Sequence, residues 1–293
     1  MVGIVIRARL SAVAALVLLA ALAGGCASSS VAKKPPSGAP NPDKFLFDRG
    51  TENLNARRWA VAREYFRQLV DTYPQSEFRA DGKLGIGDTY FGEHSSESFV
   101  LAINEFREFL NFYPTHKRAD YAQYKLAMSN FSQMRDPMRD QTATRDAIRE
   151  LETFIARYPN STFTPDAKIH LRAAKDRLGM WDLQVGIQYF KFRWYPGAIG
   201  RLKPLIQNDP ELTNRDAAYF YLGESLLKLR QDAEALPYYE RLVKEFEQSQ
   251  YLADAKRRIA ELKASLPNAP GKDPGKNPGK DPGKAGKDPG KES

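Results

Sequence analysis

From Lys44 to Leu262 the apolar residues recur at three- and four-residue intervals, with no sustained two-residue alternation. That periodicity predicts helices, because 3.6 residues per turn brings positions i, i+3, i+4 and i+7 onto one face. The pattern is punctuated by Tyr73-Pro74-Gln75-Ser76, Tyr113-Pro114-Thr115-His116, Tyr158-Pro159-Asn160-Ser161 and Asp209-Pro210. A proline ends a helix, and its ring disfavours helix at the residue before it. These prolines lie 40, 45 and 51 residues apart, the spacing of a helical repeat with insertions.

Each period also carries small and large residues in a fixed order. Two helices crossing closely need a small side chain at the crossing, opposite a large one. Gly50, Ala62, Phe66 and Pro74 supply the first set, and Gly87, Tyr90, Ala102, Phe106, Phe109 and Pro114 the second. Ala127, Ala147, Leu151, Phe154 and Pro159 make a third, interrupted by the polar stretch 135–145. The fourth is Gly186, Tyr189, Ala198, Leu202, Leu205 and Pro210, and the fifth Gly223, Leu226, Ala235, Tyr239 and Leu242, with Glu247 where proline would stand. Residues 165–178 exceed the repeat count and are read as a helix running into the fourth repeat. Tyr251–Leu262 follows as a cap, with Arg257, Arg258 and Lys263 expected on its exposed side. The predicted fold is all-α: a tetratricopeptide-like (TPR-like) solenoid of about five hairpins, a C-terminal capping helix and a disordered tail.

Composition divides the chain further. Residues 1–25 read as a signal peptide, 26–43 hold four prolines and read as a flexible tether, and 266–293 hold six prolines, six glycines and six lysines. The folded part is expected as repeats 1–3 over 44–163, then the connecting helix, repeats 4–5 and the cap over 164–265. The formal charge of +8 shrinks once the flanks are removed, since Arg7, Arg9 and the lysines of the tether and tail carry most of it. The case for a nucleic-acid partner weakens accordingly. A single cysteine excludes an intramolecular disulfide and a thiol redox pair.

The N-terminus reads as an address. The apolar run Val13–Ala23 suits a signal core and is short for a membrane span. It ends Leu22-Ala23-Gly24-Gly25-Cys26. This resembles a bacterial lipobox, in which the cysteine receives the lipid, although the leucine stands four places before Cys26 rather than three. Acyl chains there, palmitate among them, would anchor the chain at about 0.8 kcal/mol per buried methylene. Ala27 and Ser28 follow, with no inner-membrane retention aspartate, so the outer membrane is expected.

No motif for chemistry survives inspection. Gly85-x-Gly87 hints at a phosphate loop, but Tyr90 stands where the third glycine is needed, and the pair reads better as helix-crossing positions. His94, His116 and His170 lack a partner at ligand spacing. No serine elbow or His-Glu-x-x-His helix occurs. The chain is read as a non-enzyme without metal or cofactor.

The lipobox, the tether and the repeats are joined by Asn111–His116, Asp120-Tyr121-Ala122-Gln123-Tyr124, Arg139-Asp140 and Tyr158–Phe163 leading to Lys175–Leu178. In these the chain resembles the BamD family, TPR lipoproteins of the β-barrel assembly (BAM) machinery. The resemblance implies a scaffold on the periplasmic face of the outer membrane. It would bind a POTRA domain of BamA, sit beside other BAM lipoproteins and help to insert unfolded outer-membrane proteins. It also implies that Arg201, nine residues before Pro210, makes the BamA contact. First helices line the concave face of TPR folds. Phe47, Phe91, Tyr121, Tyr124 and Phe131, with Leu54 and Met128, are therefore expected to form a groove for substrate peptide. The competing reading is a periplasmic TPR adaptor for cell-wall or Tol-system proteins.

Overall fold

The computed structural model describes residues 34–265. The readings of residues 1–25, of Cys26 and of the tail from Leu266 lie outside the described residues. Eleven α-helices and no strand occur among the described residues. They are α1 (Pro42–Asn55), α2 (Trp59–Thr72), α3 (Arg79–Gly92), α4 (Ser96–Phe112), α5 (Ala119–Phe131), α6 (Thr142–Arg157), α7 (Thr164–Lys191), α8 (Tyr195–Asn208), α9 (Arg215–Lys228), α10 (Asp232–Glu245) and α11 (Leu252–Ser265). Helices α1 to α10 form five hairpins in the predicted order, and α11 caps the last. The first helix starts on Pro42, two residues inside the stretch that composition assigns to the tether. Proline suits that place, because the first N–H of a helix has no internal partner.

The described residues divide into two compact units that part between Leu178 and Gly179. The expected division at residue 164 is the start of α7. The units part inside that 28-residue helix, which runs unbroken as residues 165–178 had suggested. In the first unit each helix from α1 to α6 packs on the next, and in the second α8 to α11 do the same.

Four of the five crossings are built from a predicted pair of glycine and large residue. A Cβ placed on Gly50 would come 2.5 Å from Phe66, on Gly87 2.7 Å from Phe106, on Gly186 2.6 Å from Leu202 and on Gly223 2.7 Å from Tyr239. The missing side chain of one helix is thus the space filled by the large side chain of its partner, and all four large residues are essentially buried. Gly85 belongs to the same system, since its Cβ would come 2.5 Å from Phe66 on the ring edge opposite the one that Gly50 meets. The first helix of the second repeat therefore closes on the ring that the first hairpin already holds.

A recurring polar clamp closes the odd-numbered hairpins. Ser76 donates to Asp43, Ser161 to Asp120 and Ser249 to Asp216, each at 2.7 Å. Each aspartate lies in the first turn of its repeat's first helix, where the helix dipole favours negative charge. The same three hydroxyls accept the backbone N–H of Phe78, Phe163 and Tyr251. In the second repeat His116 takes the serine's place, and Arg118 reaches Asp81 at 3.1 Å. In the fourth, Leu212 replaces the serine and is buried against Gly179. Ser161→Ala leaves a half-buried carboxylate without one donor and is expected to cost roughly 1–2 kcal/mol. A fall in the urea midpoint at constant m-value would show it.

One expectation for the cap is corrected. Arg257 and Lys263 are exposed, but Arg258 turns inward to the buried carboxylate of Glu224 on α9, with contacts of 2.7 and 3.0 Å. The same carboxylate accepts the hydroxyl of Tyr239 on α10 at 2.8 Å. Three helices thus share one ionic junction, and an exposed placement of Arg258 would have left Glu224 buried without a countercharge.

Candidate interaction sites

In the first unit the candidate groove residues, Leu54 and Met128 included, fall on α1, α3 and α5, and all seven are half-buried. Phe47 stacks on Phe78 at 5.2 Å and tilts against Phe66 at 6.2 Å, so it serves the interior of the first repeat. Phe131 lies at the far end of α5, edge-on to His170 at 4.7 Å. Phe91, Tyr121 and Tyr124, by contrast, are brought into one continuous array. Phe91 lies edge-on to Phe99 at 5.6 Å. Lys125 holds its ammonium 3.4 Å from the Phe91 ring centre and 3.9 Å from Asp88. Asp88 accepts the Tyr121 hydroxyl at 2.7 Å, and Arg118 covers the Tyr121 ring at 4.5 Å. Tyr121 and Tyr124 both lean on Phe163, Tyr124 in a parallel stack at 4.9 Å. The Tyr124 hydroxyl donates to Asp166, which also lies 3.1 Å from His170.

Pattern reading missed Asp88, Arg118, Lys125, Phe163 and Asp166. The signal for two of them was present: Lys125 stands four residues after Tyr121 and Asp88 three before Phe91, each on its neighbour's helix face.

Burial dominates the electrostatics of this array. It pushes the Asp88 carboxyl above its usual range despite Lys125 and Tyr121, and pushes the Lys125 ammonium below its own. Burial and the neighbouring carboxylates raise both tyrosine hydroxyls, which stay protonated and act as donors. The result is a wall of rings edged by one desolvated cation. It can hold an extended apolar segment by stacking, at about 0.5–1.5 kcal/mol for each well-packed ring pair.

In the second unit Arg201 sits on α8 with 42% of its side chain exposed. Its guanidinium donates to Asp182 on α7 at 3.2 Å and lies 5.4 Å from the Trp181 ring centre. Gly186 lets α8 approach α7 closely enough for that contact, because its Cβ would meet Leu202 and the Arg201 Cβ. An arginine so positioned presents a planar fork that matches a carboxylate on a partner. Among the described residues, no group of three or more metal-ligating side chains is placed to hold an ion, and no helix is long and apolar enough to cross a membrane.

Comparison with known proteins places the chain in a family. A family model described as "YfiO: Outer membrane lipoprotein" matches residues 40–237. The "Outer membrane protein assembly factor BamD" of Caulobacter vibrioides is 32% identical over 75% of this chain and 71% of its own length. Its namesake from Rickettsia prowazekii is 25% identical over 84% of this chain and 95% of its own length. That from Xylella fastidiosa strain 9a5c is 24% identical over 64% and 67%. A looser likeness, with a TM-score of 0.42 and 12% identity, covers 77% of this chain and 84% of the structure described as "TPR2AB-domain:pHSP90-complex of yeast Sti1". With two thirds of its length matched by one family model and a BamD relative 32% identical over 75% of it, this chain belongs to the YfiO family of outer membrane lipoproteins, alongside the BamD assembly factors.

Proposed function

We propose that the protein is a lipid-anchored scaffold for outer-membrane protein assembly; the names of its relatives speak of outer-membrane protein assembly and the family description of a lipoprotein. Its anchor is Cys26, which holds it on the periplasmic face. Its second unit binds BamA through Arg201, and the ring wall of its first unit receives unfolded barrel proteins. It sits beside other BAM lipoproteins and catalyses no reaction. The observation that carries the reading is the family match over residues 40–237, which spans both surfaces.

The mechanism is one of holding. A guanidinium fixed by Asp182 loses little side-chain freedom on binding, so more of its attraction to a BamA carboxylate appears as affinity. Substrate segments with alternating aromatic residues would lie against Phe91, Tyr121 and Tyr124, with Lys125 at the edge for an acidic group or a chain end.

The test is co-purification from mild detergent. Arg201→Glu reverses the charge at the contact, and BamA recovery is expected to fall at least tenfold while the helical signal stays intact. Phe91→Ala with Tyr124→Ala is expected to reduce crosslinking to a barrel-derived C-terminal peptide and to spare BamA. Full BamA recovery with Arg201→Glu would reject the Arg201 assignment. Crosslinks mapping to α8–α11 would reject the division of labour.

A further inference from the structure

The turn joining α7 to α8 carries chemistry that helix packing does not use. Lys191, Phe192, Arg193 and Trp194 are four consecutive exposed residues. Phe192 at 71% is the most exposed large apolar side chain described, and Trp194 shows 55%. Side chains of this size are normally drawn into a core, so two of them standing beside two cations need an explanation.

The turn holds them stiffly. Arg193 has φ of +62°, in the left-handed region where a glycine is usual. The Trp194 N–H donates to the Tyr189 carbonyl and the Arg193 N–H to the Phe190 carbonyl, both at 2.9 Å. The indole leans edge-on to Tyr189 at 4.6 Å. It also lies across Gly197, where a Cβ would come 2.5 Å from the ring. The indole is thus held from below, with its remaining surface in solvent. Antiparallel packing of α8 and α9 puts the turn between α9 and α10 on the same edge of this unit. That turn adds Leu229, 39% exposed, and Arg230, also left-handed at φ +60°.

The tip itself is cationic: from Leu183 to Asn208 the chain has no acidic residue and carries Lys191 and Arg193 at the turn, while Asp232 and Glu234 open α10 beside Arg230 on the neighbouring turn. The centre of a protein–protein contact is depleted in lysine, although arginine and aromatic residues are enriched there. Here the two rings alternate with cations in a single turn, the arrangement suited to a bilayer surface, where rings enter the headgroup layer and cations meet lipid phosphates.

We propose that the Lys191–Trp194 tip is a bilayer-contact site for an anionic phospholipid surface. Phe192 and Trp194 insert at the headgroup boundary, and Lys191, Arg193 and Arg230 pair with phosphates. The site uses the outer-membrane setting of the family and is independent of both the Cys26 anchor and the Arg201 contact. It gives a tethered protein a second point of attachment, which fixes its orientation above the membrane.

The test uses the mature chain carrying Cys26→Ser, so that no acyl chain contributes, with vesicles of phosphatidylethanolamine and phosphatidylglycerol. The chain is expected to co-sediment, and its tryptophan emission to be quenched by acyl-brominated lipid. Trp194→Phe should abolish the quenching while leaving Trp59 and Trp181 in place. Phe192→Ser with Trp194→Ser, and separately Lys191→Gln with Arg193→Gln, should each lower partitioning roughly tenfold. Lys191, Phe192 and Arg193 are exposed, so the melting temperature should hold for the glutamine pair; Trp194 also packs on Tyr189, so the serine pair is compared at a temperature where its helical signal is intact. Equal partitioning of wild type and both double variants would overturn the proposal, as would absence of quenching, or partitioning lost only on deletion of residues 267–293. If the serine pair loses BamA while binding vesicles normally, the tip is a protein contact and the lipid assignment is wrong.

Discussion

Glu224→Ala is expected to destabilise the second unit by about 3 kcal/mol, seen as an early unfolding transition that releases α11. Three helices meet at this carboxylate: Glu224 on α9 is 7% exposed and accepts from Tyr239 on α10 and, through both oxygens, from Arg258 on α11. Breaking a buried ion pair by removing one partner typically costs about 3–5 kcal/mol, because the survivor is left desolvated without its counterion. The low end applies to this change, since Arg258 keeps 29% exposure and a 2.9 Å contact to Glu261, so it can move toward water. Arg258→Met should cost more, because Glu224 has no such escape. Glu224→Leu combined with Arg258→Met should recover most of the loss, since a packed apolar pair of similar volume replaces an ion pair at little net cost. Urea melts followed by a probe on α11 would decide it. Additive losses in the double variant would mean that packing, and not the charge, holds the cap.

The hairpins and their crossings were legible because the information is local. Gly50 to Phe66 lies within one repeat, and a small residue facing a large one constrains the helices wherever the chain leads. The clamp was half legible. Tyr-Pro-x-Ser recurs in the sequence at Ser76 and Ser161, but the aspartates that accept those hydroxyls stand 33 and 41 residues upstream, a pairing that only the closed hairpin reveals. The Glu224–Arg258 junction was not legible. On a helix rich in charge an arginine looks solvated, and its direction is set by a carboxylate 34 residues away. The candidate groove shows the same limit. Its rings were found by helical position, while Asp88 and Lys125, which decide its polarity, come from two different helices. The break between the compact units inside α7 carries no sequence mark either, because the helix itself is continuous across it.

Phe66→Ala is expected to cost about 3–5 kcal/mol, the range for removing a fully buried ring, and to loosen the first two repeats together. The ring is 1% exposed and lies between Gly50 of α1 and Gly85 of α3, either of which would bring a Cβ to 2.5 Å. Neither glycine has a side chain to move into the vacated space, so the cavity closes only as far as neighbours such as Phe47 can rearrange. That puts the loss toward the upper part of the range. The converse change tests the same geometry. Gly85→Ala forces a methyl group against a ring that the second glycine prevents from retreating, and overpacking of this kind costs roughly 1–3 kcal/mol. If ring and glycines form one unit, Phe66→Leu should partly rescue Gly85→Ala, since a narrower side chain leaves room for the methyl group, and the double variant should be more stable than the sum of the single losses allows. Strict additivity in thermal or urea unfolding would instead show that the ring and the glycine act independently. The close approach of α1 and α3 would then have to be carried by contacts other than Phe66.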